Sequence, residues 1–586
     1  MPALVTRKFR THQAKQFREG LGETIDWSGS DVSGSEDSTT LDDHIYLYIG
    51  NTTAWSDDNA PPTPRDSVFE NTHDSWDSMI AAKKVTQSYT SHVIPRNNWT
   101  SGSVYAMYKE DVDTLYSNTA NPIHVMTTDF NVYKCMDNAN NSTSTSVPTS
   151  VSTEASAIED KYGLDNYKWK FLYTITAAEA LKFVTPNYIP CKTLRNANSI
   201  GLTGSTGMPL DDGSNQYDIE VNTVKGAIDV YNITDAGSNY LFFTGATVGS
   251  TTTTFFETAT AGINTTDGIY DGSAIYINND IRIIDTYVYD EGQSKGQFTL
   301  TEALAGVASG SFTVQPRLAV YGDGTGATAR CVEGGTAGTL GAVFAGEVGS
   351  GYNTGEVKVI QSGTGATGSG GVVVPRIGPL GGHAYDIVEE LGGNFIMINQ
   401  RIEQSESGKF PVTNDFRKVG LIKNPVSANT THRFTAQAGT QAGTQAVTMR
   451  VSSINGSNFI DDGYVQGNTS GAIGRIVDTT AVSTGVKDLR LVSMSLGPTN
   501  ANRLLGTAAA AGSVMTNPNQ GPDIAGKPGG FQTAETVTCD GSTATVTSLT
   551  AGEFKPYSGT LLYVENRSPV VRASDQTEDI KLIIEF

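Results

Sequence analysis

The sequence is poor in the features by which a chemistry is usually recognised. Its four cysteines, Cys135, Cys191, Cys331 and Cys539, are scattered over 586 residues, with no CxxC pair and no histidine at zinc-ligand spacing. In a chain this large they read as free thiols made in a reducing compartment, not as a disulfide framework. No run of 18 apolar residues occurs, and the opening stretch MPALVTRKFRTHQAKQFREG has no apolar centre of a secretory signal. A soluble protein without membrane insertion is expected. Positive charge is scarce: 40 Lys and Arg face 61 Asp and Glu, a net charge of -21. That balance repels a phosphate backbone, so direct nucleic-acid binding is not expected.

Catalytic signatures are missing as well. There is no GxSxG elbow, no HExxH and no GxxxxGK[ST], and His12, His44, His73, His92, His124, His383 and His432 show no ligand spacing. GTGATG (363 to 368) is a literal GxGxxG, but Pro375 and Pro379 forbid the helix that a dinucleotide site requires, so a glycine-rich β-turn is expected. Paired aspartates at 42–43, 57–58, 211–212 and 461–462 offer oxygen ligands to calcium, yet none has EF-hand spacing, and solvated turns are the simpler reading. A carboxylate pair for glycoside hydrolysis cannot be placed from sequence alone. The expectation is a non-enzyme with no catalytic residue, no cofactor and no assigned metal ligand.

What is present is β-sheet signal with few short helices, over a length that suggests about four domains. DDHIYLYIG (42 to 50) alternates Ile45, Leu47 and Ile49 with Tyr46 and Tyr48, a strand pattern, and NTTAWSDDNAPPTPRDSV (51 to 68) reads as a loop. SWDSMIAAKKV (75 to 85) is expected to be a helix with Ser75 as N-cap, and TAAEALKFV (176 to 184) a second, with Thr176 and Glu179 as a capping box. The basic TRKFRTHQAKQFR reads as a partly exposed helix with Phe9 and Phe17 inward, or as a dock for an acidic partner or membrane surface.

Composition divides the chain into an aromatic, mixed region (1–200), a Gly/Thr-rich β block (201–375), a mixed β region continuing the core (376–430), a second Ala/Gly/Thr-rich β block (431–555) and closing strands (556–586). Two internal similarities stand out. DAGSNYLFFTGATVGS (235 to 250) resembles EVGSGYNTGEVKVIQSGTGATGSGG (347 to 371), and YGDGTGATA (321 to 329) resembles the tail of the latter. These read as β-turn units in which Gly supplies positive φ and Tyr covers a neighbouring strand. FIDDGYVQGNTSGAIGRIV (459 to 477) and FQTAETVTCDGSTATV (531 to 546) share Phe, Val and Ser at equal spacing. AGTQAGTQAV and GTAAAAGSV read as loops, the Ala run alternatively as a short helix. The chain ends on Ile580, Leu582, Ile584 and Phe586 alternating with Lys581, Ile583 and Glu585, a strand expected to pair near 561–564 or with an N-terminal strand. The fold class is therefore mainly β, multidomain and β-sandwich-like.

Five ordered stretches carry a family resemblance: RKFRT (7 to 11), AWSDDNAPPTPRDSV (54 to 68), VIPRNNW (93 to 99), FRKVGLIKNPV (416 to 426) and YVENRSPVVRASDQTEDIKLIIEF (563 to 586), with echoes at VYKC and YKWKFLYTI. Together they resemble the baseplate wedge protein numbered eight of T-even-like contractile-tailed bacteriophages. The resembling positions are Lys8, Phe9, Arg10, Trp55, Pro61, Pro62, Pro64, Asp66, Pro95, Arg96, Trp99, Phe416, Arg417, Asn424, Pro425, Glu565, Asn566, Arg567, Pro569, Asp575, Gln576, Thr577 and Glu578. The resemblance spans roughly 1–200, 376–430 and 556–586. It implies a structural protein, a homodimer that joins other baseplate wedge proteins around a hub, is made in the host cytoplasm and ends in the virion tail baseplate. It also implies a part in the rearrangement that releases sheath contraction. Aromatic and Arg residues such as Trp55, Trp99 and Arg96 are candidate anchors for such interfaces, or core residues. Two other classes stay open: a tail-fibre or adhesin module whose Gly/Tyr blocks bind host carbohydrate, and a tail-associated depolymerase.

Overall fold

The computed structural model describes residues 3–21, 44–112, 115–116, 119–154, 158–195, 210–249, 251–428, 433–434, 441–495 and 530–586. Asp42, Asp43, His432 and the GTAAAAGSV stretch lie outside them. The chain forms two compact units, one of residues 1–11 and 92–394, the other of residues 12–91 and 395–586.

In the second unit a five-stranded sheet runs in the order Ala442–Thr444, Met79–Lys84, Ile45–Gly50, Asp415–Lys423, Thr560–Val571. The central Ile45–Gly50 strand is buried on both faces, and its period of two sorts its residues between two cores. Ile45, Leu47 and Ile49 join Val419, Leu421, Ile580 and Leu582. Tyr46 and Tyr48 join Trp76, Met79, Phe434 and Phe554 on the other side, where the Tyr46 hydroxyl donates to the Phe434 carbonyl at 3.0 Å.

The helix expected over 75–85 is not formed. Phe69–Asp74 is a π-helical turn, Ser75–Ser78 a single α-turn, and Met79–Lys84 a strand. Ser75 is no N-cap: it is fully buried and donates to the Glu70 carbonyl at 2.7 Å. Pairing of Met79–Lys84 with Ile45–Gly50 buries Ile80 and Ala81 in the sheet core, which outweighs the helix propensity of the Ala-Ala-Lys-Lys run. AGTQAGTQAV is likewise not all loop, because Ala442–Thr444 adds the edge strand.

The closing strand, Thr577–Glu585, pairs with Phe395–Glu403, in register from Phe395 opposite Glu585 to Glu403 opposite Thr577. This corrects the expected pairing near 561–564 or with an N-terminal strand: Thr560–Val571 is the edge strand beside Asp415–Lys423, and the closing strand lies in another sheet. The alternation itself holds: Ile580 and Leu582 are buried, and Phe586 packs on Phe17 with ring centroids 5.2 Å apart. Phe9, expected inward, is 55% exposed on the helix Arg7–Gly20.

The same unit contains a closed six-stranded barrel, Val447–Asn455, Val486–Ser495, Ile473–Ser483, Tyr464–Gly467, Thr536–Cys539 and Ser542–Thr550. The duplicated Phe459/Phe531 and Val465/Val537 pairs all lie in its core, and the two short strands that carry the valines pair with each other.

The first unit holds two six-stranded sheets and a four-stranded one. The four-stranded sheet runs His124–Met126, Asn131–Asp137, Lys168–Thr174, Glu159–Asp160, and the Thr176–Glu179 capping box opens the helix Ala177–Phe183 as expected. One six-stranded sheet, rich in stacked Phe and Tyr, spans Phe243–Gln315. The other has the order Leu340–Ser350, Thr325–Glu333, Arg317–Gly322, Gly355–Ile360, Ser369–Ile377, Ile228–Ser238.

The repeat explains this last order. Gly326 faces Gly349 across one strand pair and Gly370 faces Gly237 across the other, all four at φ between 61° and 83°. Beside each pair a buried tyrosine packs close to a further glycine, Tyr352 by Gly324 and Tyr240 by Gly368. A Cβ on Gly237 or Gly349 would meet backbone nitrogen at 2.5 Å, so only glycine permits the approach. The equivalence is Gly324-x-Gly326 with Gly368-x-Gly370, five residues off the literal alignment of GTGATA with GTGATG. The GxGxxG itself is the turn between Gly355–Ile360 and Ser369–Ile377, as expected. All four cysteines are free and buried.

Candidate assembly surface

Three of the five resembling stretches meet in the second unit, and Arg417 joins them. Its backbone sits on the Asp415–Lys423 strand, which aims the guanidinium at the 51–68 loop. Nε and Nη2 donate to the two carboxylate oxygens of Asp58, both at 2.8 Å, and Nη1 donates to the Thr52 carbonyl at 3.0 Å and lies 2.9 Å from Asp415. This fork-to-fork geometry is the strong form of the Arg–carboxylate pair. It holds Asp58 below the usual carboxylate range and raises the Arg417 pKa. Arg475 adds a second clamp, donating through Nε to the Thr52 hydroxyl at 2.8 Å and through Nη2 to Asp462 at 2.6 Å.

The third stretch closes over the same loop. The Trp55 indole donates to the Arg567 carbonyl at 3.0 Å, and the Asn566 amide donates to the Pro62 carbonyl at 2.9 Å. Glu565 accepts from Tyr563 and Arg567 on the same strand. Pro61 and Pro64 are half-buried and Pro62 and Asp66 exposed. Asp66 accepts from Asn71 at 2.6 Å. Just beyond, Val68 and Phe69 stand 73% and 66% exposed, large apolar side chains on a pinned support.

The other resembling residues are mostly framework. Phe416 is core, Pro425 is buried, and Asn424 takes φ 52° while accepting from the His44 N–H at 2.9 Å. Arg572, which the sequence reading did not single out, staples the turn before the closing strand. It donates to the carbonyls of Gln404 and Pro411 and to Glu578 at 3.0 Å, while Asp575 and Thr577 are exposed and Pro569 and Gln576 half-buried. In the first unit Trp99 packs against the core and donates to Ser144 at 3.1 Å, Arg96 donates to the Thr185 carbonyl at 3.1 Å, and Pro95 accepts from His124 at 2.9 Å. Lys8 is 2.9 Å from Glu389, and Phe9 and Arg10 are exposed. Among the described paired aspartates, Asp57 and Asp211 accept from the N–H two residues on, and Asp58 and Asp462 bind Arg417 and Arg475.

A buried titratable cluster lies elsewhere, in the first unit. Lys134, His383 and Glu390 are buried together, with Lys134 Nζ 3.0 Å from His383 Nδ1, in an ion pair with Glu390, and over the Tyr108 ring. Burial raises the Glu390 pKa, but Lys134 and His383 reverse this and hold it at about 2. Burial, then Lys134, drives His383 down. Burial also lowers Lys134, against the pull of Glu390. The downward shift of Glu390 is the firm direction, because three donors, Lys134, His383 and the Ala384 N–H, converge on its carboxylate. Lys134, Glu390 and His383 Nδ1 engage one another, as in a structural ion pair, while His383 Nε2 has no hydrogen-bond partner among the described residues.

Comparison with known proteins reaches the first three resembling stretches, at 7–11, 54–68 and 93–99. Residues 3–161 match the family model described as Bacteriophage T4, Gp8. The match covers about a quarter of the chain. Over 102 residues the chain is 34% identical to the baseplate wedge protein gp8 of Enterobacteria phage T4, which is 17% of this chain. It spans about a quarter, 26%, of that relative's length. Trp55, Arg96 and Trp99 fall inside the matched family region, whereas the 416–426 and 563–586 stretches fall outside it.

Proposed function

We propose that this chain is a structural component of the tail baseplate wedge of a contractile-tailed phage. In this reading it forms a homodimer, joins other wedge proteins around the hub, and takes part in the rearrangement that releases sheath contraction. The observation that carries the reading is the Arg417–Asp58–Trp55 assembly. Arg417, Arg475, Asn566 and Arg567, all far along the chain, fix one exposed loop near its start, an arrangement suited to a rigid docking surface and not to a substrate pocket. The blocks at 201–375 and 431–555 are, in this proposal, insertions in a core closed by both termini, since lengthening a loop costs only about 0.6 kcal/mol per doubling.

Sedimentation equilibrium of the purified chain, followed by mixing with the neighbouring wedge proteins of its phage, tests this. A dimer that co-sediments with them is expected, and Val68→Asp with Phe69→Asp should abolish co-sedimentation without unfolding the chain. A monomer that binds none of them would count against the proposal.

A further inference from the structure

The first unit contains a polar cleft of about 170 Å³ that the assembly role does not use. It opens between the Asn131–Asp137 and Lys168–Thr174 strands and the sheet strands Ile228–Ser238 and Leu340–Ser350. Asp137, Asn140, Asp160, Tyr162, Lys168 and Asn232 supply its polar lining. Asn232 is the informative residue. It is 4% exposed, its Oδ1 accepts from Arg376 Nε at 2.7 Å, and its Nδ2 is turned toward Asp137 without closing a hydrogen bond of good geometry. The Asn232 amide is thus held only loosely by Asp137, and an acceptor entering the cleft would give it a better-placed partner.

The other polar groups are only partly committed. Asp137 accepts one bond from the Ala139 N–H at 3.1 Å, and Asp160 one from the Tyr162 N–H at 2.9 Å. Lys168 donates to the Val343 carbonyl at 2.8 Å and lies 3.7 Å from Asp160. At the rim the Tyr162 ring is 49% exposed and stands edge-on to Phe344, with centroids 5.3 Å apart.

The chemistry narrows the ligand. Two carboxylates against one ammonium disfavour a phosphate or another anion. Among the described residues no group of three or more Asp, Glu, His or Cys is placed to hold a metal ion, which disfavours a cation. Donors and acceptors are mixed, an aromatic face lines the rim, and the volume falls below the roughly 300 Å³ of drug-sized sites. We propose that this cleft binds a single neutral hexose unit, its hydroxyls bonded by Asp137, Asp160 and Asn232 and its ring set against Tyr162. The alternative adhesin reading places carbohydrate binding in the Gly/Tyr blocks. The cleft instead takes one wall from such a block and the other from the four-stranded sheet.

Saturation-transfer NMR on the purified full chain with glucose, galactose, mannose and N-acetylglucosamine tests the proposal without reference to any tail assembly. Transfer to at least one sugar is expected, with affinity falling about tenfold or more in Tyr162→Ala and in Asp160→Asn. Both positions lie at the rim, and an unchanged circular dichroism spectrum would show that the variants fold. No transfer from any of these sugars, or transfer unaltered by both substitutions, would overturn the proposal. So would calcium titration that perturbs the cleft where no sugar does.

Discussion

Arg417 shows how one side chain can decide the shape of a surface. With its guanidinium 7% exposed and engaged by Asp58, Asp415 and Thr52, Arg417→Ala should destabilise the second unit by about 3 kcal/mol, because three acceptors lose their donor together. Arg417→Lys should recover less than half of that, since an ammonium cannot reproduce the fork. Urea unfolding followed by tryptophan fluorescence measures both. At Glu390 the consequence is pH dependence. Its folded pKa of about 2 lies below the ordinary 4.5, so the unfolded chain binds the extra proton as pH falls. The contribution is therefore complete above about pH 4.5 and lost toward pH 2. His383, held down from 6.5, acts in the same sense at higher pH. Melts of wild type and Glu390→Gln across this range should converge as the pH drops, and a constant gap would refute the assignment. The residue types at these sites were visible in the sequence, and Arg417 and Trp55 stood out through the resemblance. Their partnership did not, because 359 positions separate Arg417 from Asp58 and 512 separate Trp55 from Arg567.

At the scale of elements, local rules worked where a local pattern decides the outcome. The Thr176–Glu179 box opened its helix, and the alternation at 45–49 and 580–584 made strands. They failed where a partner strand decides: 75–85 became mostly strand, and the last strand chose Phe395–Glu403, nearly 200 residues away. The glycine–tyrosine units sit between these cases. Gly237→Val and Gly349→Val each place a Cβ against backbone at 2.5 Å with φ near 60°, so each should cost about 2 kcal/mol or more in thermal unfolding of the first unit. Valine at Gly335, which has open space around it and no such φ, should be tolerated. Deleting Leu582–Phe586 removes a buried leucine and the pairing to residues 395–398, and should yield insoluble or misfolded protein. A soluble truncation with dispersed NMR signals would sink that expectation.

At the scale of the whole molecule, an acidic, β-rich chain without catalytic motifs uses three of its arginines as clamps. Arg417, Arg475 and Arg572 each hold backbone carbonyls as well as carboxylates, which fixes loops in place. That investment in rigid surface, together with the match over residues 3–161, is why we read the protein as part of a phage baseplate. The most direct test is to label purified virions with an antibody to residues 201–375 and image them by electron microscopy. The account predicts label confined to the plate at the tail end. Label at fibre tips would contradict it.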